Sequence, residues 1–295
     1  MLFFRIMLIF AAKRKFMEDK QQTLAERMYA LRSKTDIMFP RNSYVMIMFD
    51  GRSFSKLVKN KFKLPFDERF VDVMNKTAEV LCHEIQGAKF AYVQSDEISL
   101  FFTDVDCEGT GSFFKYRLTK MLSVGASIAT SAFNREIIRQ KFDKSGLLDL
   151  GTFDEEPMYQ FDAKAWICPE KMDVFSWVLF RNTDCIRNSK QQAAQTYLKY
   201  DDELVRKNTD EQIELLLKKT GIDWNDYDAG VKYGRLVRHE AYTKMGEYNG
   251  KIVPVERHRW RAYPVEKPLN TEEGRAAFFE LADKYNWLPE KKEEI

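Results

Sequence analysis

Two apolar runs, each carrying a carboxylate where regular structure should stop, constrain this chain more than any other feature. Residues 44–54 read YVMIMFDGRSF, with Asp50 at the end of the run. Residues 90–102 read FAYVQSDEISLFF, with Asp96 and Glu97 where an extended chain has to turn. A continuously apolar run of this length predicts a strand buried on both faces and central in its sheet. The Ser95-Asp96-Glu97 interruption predicts a β-hairpin made of residues 89–94 and 98–102. Taken alone, Asp-Gly is a common strand end and a hairpin aspartate a common Asx turn. Together, apolar strands that deliver acids at their ends suit divalent-metal chemistry, because carboxylates are hard oxygen ligands held on rigid elements.

The order of elements brings the two stretches together. Residues 17–33 are helical, with Leu24, Met28 and Leu31 on one face. After the first strand comes a basic stretch, 56–63, read as a loop. A helix follows over 67–86, with Asp67 as N-cap and Gly87 as its stop. After the hairpin a helix is predicted over 112–133, whose small residues (Gly125, Ala126, Ala129) suit close packing on a sheet. A fourth strand is predicted over 161–167, then a helix opened by Pro169 that breaks near Asn182 and resumes to Tyr200. This β-α-β-β-α-β order is the ferredoxin-like α+β unit, in which strands one and three are central neighbours. Asp50 then lies beside the turn that carries Asp96. Two such aspartates can bridge two Mg²⁺ ions about 3.5–4 Å apart, with the Gly51 carbonyl as a further ligand and Glu97 as a third or orienting carboxylate. Arg52, Lys115, Arg117 and Lys120 offer charge for phosphates, and Ser95 and Ser123 neutral hydrogen bonds. The chemistry this favours is two-metal nucleotidyl transfer.

The remainder is less specific. A helix is expected over 202–220 and short strands within 235–263. That last stretch is basic and aromatic, which suits RNA contact or charged edge strands. A final helix is expected over 275–285, capped by Thr271. The organisation expected is an extension and helix at 1–33, a catalytic domain with a helical segment at 34–200, and a C-terminal region at 201–295.

With 47 basic and 45 acidic residues the formal charge is +2, so bulk charge neither announces nor excludes a nucleic-acid partner. Four cysteines without close metal-ligand spacing read as reduced, in keeping with a cytoplasmic protein. Three histidines lack zinc-site spacing, and no phosphate-cradling G-x-x-x-x-G-K-[ST] loop occurs. The apolar residues 1–12 are too short to span a bilayer, and their charge follows rather than precedes the apolar part, the reverse of a signal peptide. They read as an extension that packs on the body, or as residues upstream of a start at Met17. No membrane partner is expected.

The blocks FDGRSF (49–54) and YVQSDEIS (92–99) resemble the two signature blocks of the tRNA-histidine guanylyltransferase family. The resemblance continues through Pro65-Phe66-Asp67, residues 114–133 and Phe161-Asp162-Ala163-Lys164. RNTDCIRNS (181–189) resembles the version in the family's bacterial-type, tRNA-repair branch. The resemblance implies a palm domain like that of conventional polymerases, adding nucleotides in the 3′–5′ sense to the 5′ end of tRNA. That end is first activated with ATP or GTP, and the 3′-hydroxyl of an incoming GTP then attacks it. It further implies that Asp50, Asp96 and the Gly51 carbonyl hold two Mg²⁺ ions, that Glu97 is an adjacent acid needed for activity, and that the chain forms a homotetramer. Arg52, Ser95, Thr119, Lys120 and Ser123 would lie near the triphosphate. Arg187, Asn188, Arg238, Arg257 and Arg259 are the RNA contacts expected. Histidine-tRNA-specific members carry His where this chain has Ser55, and H-I-N-N where it has Ile186-Arg187-Asn188-Ser189. These departures favour templated 5′-end repair over the strict histidine-tRNA role. A nucleotide cyclase sharing the palm and an inactive RNA-binding scaffold are the competing expectations.

Overall fold

The computed structural model describes residues 23–105, 111–145, 158–248 and 251–282. The chain divides into two compact units, 1–38 and 39–295. Of the first, helix α1 (Leu24–Ser33) is described. It opens on a capping box in which Thr23 accepts from the Glu26 amide and Glu26 accepts from that of Thr23. Residues 1–22, and with them the readings of the N-terminal extension, lie outside the described residues.

The second unit is built on one six-stranded antiparallel sheet. Its elements are β1 (Tyr44–Gly51), α2 (Phe54–Lys61), α3 (Glu68–Glu84), β2 (Ala88–Gln94), β3 (Glu97–Thr103), α4 (Leu118–Ser145), β4 (Phe161–Cys168), α5 (Lys171–Leu198), α6 (Thr209–Thr220), α7 (Ala229–Tyr233), β5 (Arg235–Tyr248), β6 (Lys251–Pro264) and α8 (Glu272–Ala282). The strand order is β4-β1-β3-β2-β5-β6, so β1 and β3 are neighbours at the centre, as the element order predicts. The fold is therefore α+β, with the ferredoxin-like unit extended by the β5–β6 hairpin.

Because side chains alternate across a strand, β1 divides the core in two. Val45, Ile47 and Phe49 pack with residues of α3 and α4, among them Val73, Met74, Met121 and Phe133. Met46 packs with Val174, Phe175 and Val178 of α5 and Phe278 of α8. Both faces of the strand are covered, which is why its sequence is continuously apolar. A smaller cluster joins the end of α5 to α6 through Ala193, Ala194, Leu215 and Leu216.

The small residues of α4 serve as the sequence suggests. A Cβ on Gly125 would come within 2.8 Å of the Phe49 ring. Gly125→Ala is therefore expected to push α4 off β1 and cost about 1–3 kcal/mol, read as a lowered urea midpoint with an unchanged slope.

Helix α3 begins at Asp67, whose carboxylate accepts from the Lys63 amide (2.7 Å), the Arg69 amide (2.9 Å) and Arg69 Nε (2.9 Å). The bond from the Arg69 side chain, ahead of the backbone bonds, holds its pKa down to about 2. A depressed carboxylate pKa contributes stability that is present above the unfolded value near pH 4 and lost as pH falls through the folded value. Asp67→Ala should cost about 1–2 kcal/mol at neutral pH. Denaturant titrations from pH 5 to 2 should show the gap from wild type narrowing toward pH 2.

Several sequence expectations change. The basic stretch 56–63 is not a loop but mostly α2, because Phe54 and Leu57 bury one side of it while its lysines stay exposed. Residues 113–116 form a separate helical turn before α4, broken by left-handed backbone at Phe114 and Lys115. Helix α5 does not break at Asn182. That side chain is buried, donates to the Tyr233 carbonyl at 2.7 Å and accepts from the Leu269 amide at 3.0 Å, so tertiary bonds override its weak helix propensity. Residues 235–248 and 251–264 are not short strands but two 14-residue strands paired with each other along their length. Only Arg235 to Arg238 pair with β2, so the rest projects past the sheet as a two-stranded ribbon about 30 Å long. Cys82, Cys168 and Cys185 are buried and unpaired, as reduced thiols. Among the described residues no helix is long and apolar enough to cross a membrane.

Candidate active site

Asp50 stands one residue before the end of β1, opposite Glu97 of β3 and Asp162 of β4 in the strand register. By alternation it faces the α5 side of the sheet. The next residue closes the gap to the second acid: the Gly51 amide donates to the Asp96 carbonyl at 3.1 Å. Asp50 and the Asp96 turn are thus fixed side by side. Gly51 is needed for another reason as well. A Cβ there would fall 2.4 Å from the Phe54 ring, which folds back beneath the strand end against Phe133 and Phe161.

The β2–β3 turn is tight, two residues between the paired Gln94 and Glu97. Ser95 sits in the left-handed region at φ 44, where glycine is the preferred occupant. Strain of this kind persists where the surroundings over-determine the backbone. Here it presents Asp96.

The electrostatics of the pair are unfavourable as they stand. Burial, then the neighbouring Asp162, push the Asp50 carboxyl above its usual range, against the pull of Lys164 and Arg181. Burial likewise raises Asp96, with Asp50 and Glu97 adding repulsion, while its own amide and Ser95 oppose the rise. Two half-buried carboxylates that repel one another are relieved by a cation between them.

Glu97 departs from the expectation of a catalytic carboxylate. Both its oxygens are taken by Arg181 of α5, Nε to Oε1 at 2.8 Å and NH2 to Oε2 at 2.6 Å. Arg181 also reaches Asp184 at 2.6 Å and lies over the rings of Trp177 and Phe180. Glu97 therefore ties the hairpin to α5 rather than projecting toward a substrate.

Among the described residues no three of His, Cys, Asp and Glu converge on a point as a closed metal site does. Mg²⁺ does not ask for one: it keeps several waters and takes one or two carboxylates plus substrate phosphates. Asp50 and Asp96, hard oxygens with unrelieved repulsion beside the Gly51 backbone, fit that requirement.

Asp96 and Ser95 line a cleft of about 800 Å³ between α2, α5 and the loop that follows it, within the range of small-molecule sites. Ser55 and Val58 of α2 form one wall, and Asn188, Gln192 and Lys199 belong to the other. A side pocket of about 70 Å³ shares Val58, Ser95, Asn188 and Gln192 with it.

Other predicted residues lie elsewhere. Arg52 is exposed and donates to Gln160 Oε1 at 2.9 Å, lining a separate cavity of about 370 Å³ on the other side of α2. Thr119, Lys120 and Ser123 belong to α4, which packs on the face of the sheet opposite to that of Asp50. They occupy the first turns of α4, next to Tyr116, whose hydroxyl lies 3.1 Å from the Ser43 carbonyl at the opposite end of β1. Seven strand residues, about 23 Å, separate that end from Asp50. Asn188 lines the cleft, whereas Arg187 is exposed and paired with Asp184 at 2.7 Å. Arg238, Arg257 and Arg259 share one face of the ribbon by register, with Tyr242 beneath Arg259 (4.6 Å) and Tyr263 beneath Arg238 (4.7 Å).

Three residues that sequence reasoning did not single out now matter. Asp162 and Arg181 set the charge around Asp50, and Arg235 is buried beside the side pocket. Asp162 had a signal, an acid opening a strand next to β1. The other two had none, because arginine in a polar helix or a basic stretch reads as surface.

Residues 25–169 match the family model described as tRNAHis guanylyltransferase. A bacterial tRNA(His) guanylyltransferase (Thg1)-like protein solved with ATP is 26% identical over 88% of this chain and 99% of that one, with a TM-score of 0.69. Its counterpart solved with GTP gives 26% and 0.65 over the same shares. The tRNA(His) guanylyltransferase 2 of Arabidopsis thaliana is 25% identical over 72% of this chain and 40% of that one. The similarity to tRNAHis guanylyltransferases, a family whose members are nucleotidyltransferases acting on tRNA, thus runs over residues 25–169 by the family model and over most of the chain by the solved structures.

Proposed function

We propose that this protein is a Mg²⁺-dependent 3′–5′ nucleotidyltransferase that adds nucleotides, GTP by preference, to the 5′ end of tRNA in templated end repair. The observation that carries the reading is the pair Asp50 and Asp96, held together by the Gly51–Asp96 backbone bond, with Asp96 lining a nucleotide-sized cleft. Asp50, Asp96 and the Gly51 carbonyl would hold the metal. When bound, the ions supply charge neutralisation at the triphosphate and lower the pKa of the attacking hydroxyl. The chain's own residues do the rest. The Ser95 turn aims Asp96, the Glu97–Arg181 fork keeps that turn against α5, and the walls from α2 and α5 orient the nucleotide. ATP and GTP complexes of the bacterial relative support a triphosphate substrate. Ser55 and the Ile186–Ser189 segment favour repair over the histidine-tRNA role. The basic-aromatic face of the ribbon suits the RNA backbone.

Incubation with Mg²⁺, labelled GTP and tRNA lacking its first 5′ nucleotide tests the reading. Label is expected in the tRNA and is expected to disappear with EDTA. A cyclic nucleotide product, or tRNA binding without incorporation, overturns it.

A further inference from the structure

The side pocket contains a feature that metal-dependent transfer does not require. Arg235 is buried, and among the described residues no carboxylate lies within 4.0 Å of it. Its Nε donates to Asn75 Oδ1 at 2.7 Å and one terminal nitrogen to the Gly230 carbonyl at 2.9 Å. Both partners are neutral. Asp228, the acid in its surroundings, is tied to the Gly230 amide at 2.7 Å. Two of the five guanidinium N–H donors are thus engaged, and burial pulls the pKa of the group down. A buried cation with neutral partners is costly unless an electron-rich group joins it.

The space beside it has a definite size. About 70 Å³ of room for water centres holds about five waters, on the order of 150 Å³ of liquid, the volume of one nucleobase. Apolar Val58, Phe66 and Val231 line it together with polar Ser95, Asn188 and Arg235. Flat apolar walls and a few convergent polar groups are what a base needs. Asp67 also borders the pocket, but its oxygens are already taken by Lys63 and Arg69. Discrimination therefore falls to the donor side.

Resting on the reading of the cleft as a nucleotide site, we propose that Arg235 is the specificity-determining residue for the purine, donating to the O6 and N7 acceptors of guanine. Adenine presents N7 beside an N6 amino donor, which meets the guanidinium donor to donor.

Equilibrium binding to the wild-type protein without RNA tests this. GTP should bind about 10- to 100-fold more tightly than ATP. Inosine triphosphate, which keeps O6 and N7, should match GTP. The triphosphates of 7-deazaguanosine and 2-aminopurine riboside, lacking N7 or O6, should fall toward ATP. Loss of binding with inosine, or GTP-like binding of the other two analogues, overturns the proposal while leaving the cleft a nucleotide site. Failure of every triphosphate to bind removes the cleft reading as well. In Arg235→Lys and Arg235→Gln, checked for folding by thermal melts, GTP should weaken to the level of ATP while ATP stays put. Equal weakening of both would assign Arg235 a structural role only and overturn the proposal.

Discussion

Asp96→Asn is expected to lower kcat/KM for 5′ addition on the order of 10³-fold, about 4 kcal/mol of activation free energy, while making the metal-free protein more stable. The two effects have one cause. Burial and the nearby Asp50 raise the Asp96 pKa. A carboxyl whose folded pKa exceeds its unfolded value destabilises the fold as pH rises from the unfolded value through the folded one, and the full penalty stands above it. At neutral pH in EDTA the asparagine variant, which keeps shape and removes charge, should therefore melt higher than wild type. Mg²⁺ should raise the wild-type melting temperature and leave the variant unmoved. Asp50→Asn should behave in the same way. A variant that loses activity and also loses metal-free stability would point to a packing role for Asp96 instead.

Glu97→Ala should be among the most destabilising single changes in the molecule. The ion pair it breaks is largely shielded, with side-chain exposures of 15% for Arg181 and 11% for Glu97. Removing one partner of such a pair leaves a buried charge and costs about 3–5 kcal/mol. Asp184 and the rings of Trp177 and Phe180 remain for Arg181, so the lower end is expected, near 3 kcal/mol. At about 2–4 °C per kcal/mol for a chain of this size, the melting temperature should fall by roughly 6–12 °C. Replacing both partners, Glu97→Met with Arg181→Met, should recover much of that loss. Recovery of stability in the double variant, with activity returning in step, is what a positioning role gives. Stability restored while transfer stays at the level of Asp96→Asn would make Glu97 a metal ligand after all.

The parts of the site that sequence could reveal are those whose local chemistry is unusual. An unbroken apolar run ending in Asp-Gly has few explanations, and the β-α-β-β order leaves one place for the Asp96 turn. Asp50 and Asp96 were legible for that reason. Glu97 was legible as an acid but not as half of an ion pair, because its partner comes 84 residues later from a helix whose pattern marks Arg181 as surface. The α5 break at Asn182 failed for a related reason. Local propensity favours an interruption, and hydrogen bonds to Tyr233 and Leu269, remote in sequence, hold the helix through it. The long ribbon was hidden because two exposed strands that pair mainly with each other carry no buried stripe to mark their length.

In the proposed reaction Asp50 and Asp96 act on one metal site. Mn²⁺ binding followed by electron paramagnetic resonance, on wild type, Asp50→Asn and Asp96→Asn with GTP present, tests it most directly. Each substitution alone is predicted to weaken the same tight binding step by at least about tenfold, 1.4 kcal/mol, and the double variant to add little beyond either one. Wild-type Mn²⁺ affinity retained in either single variant would show that the two aspartates do not share a metal.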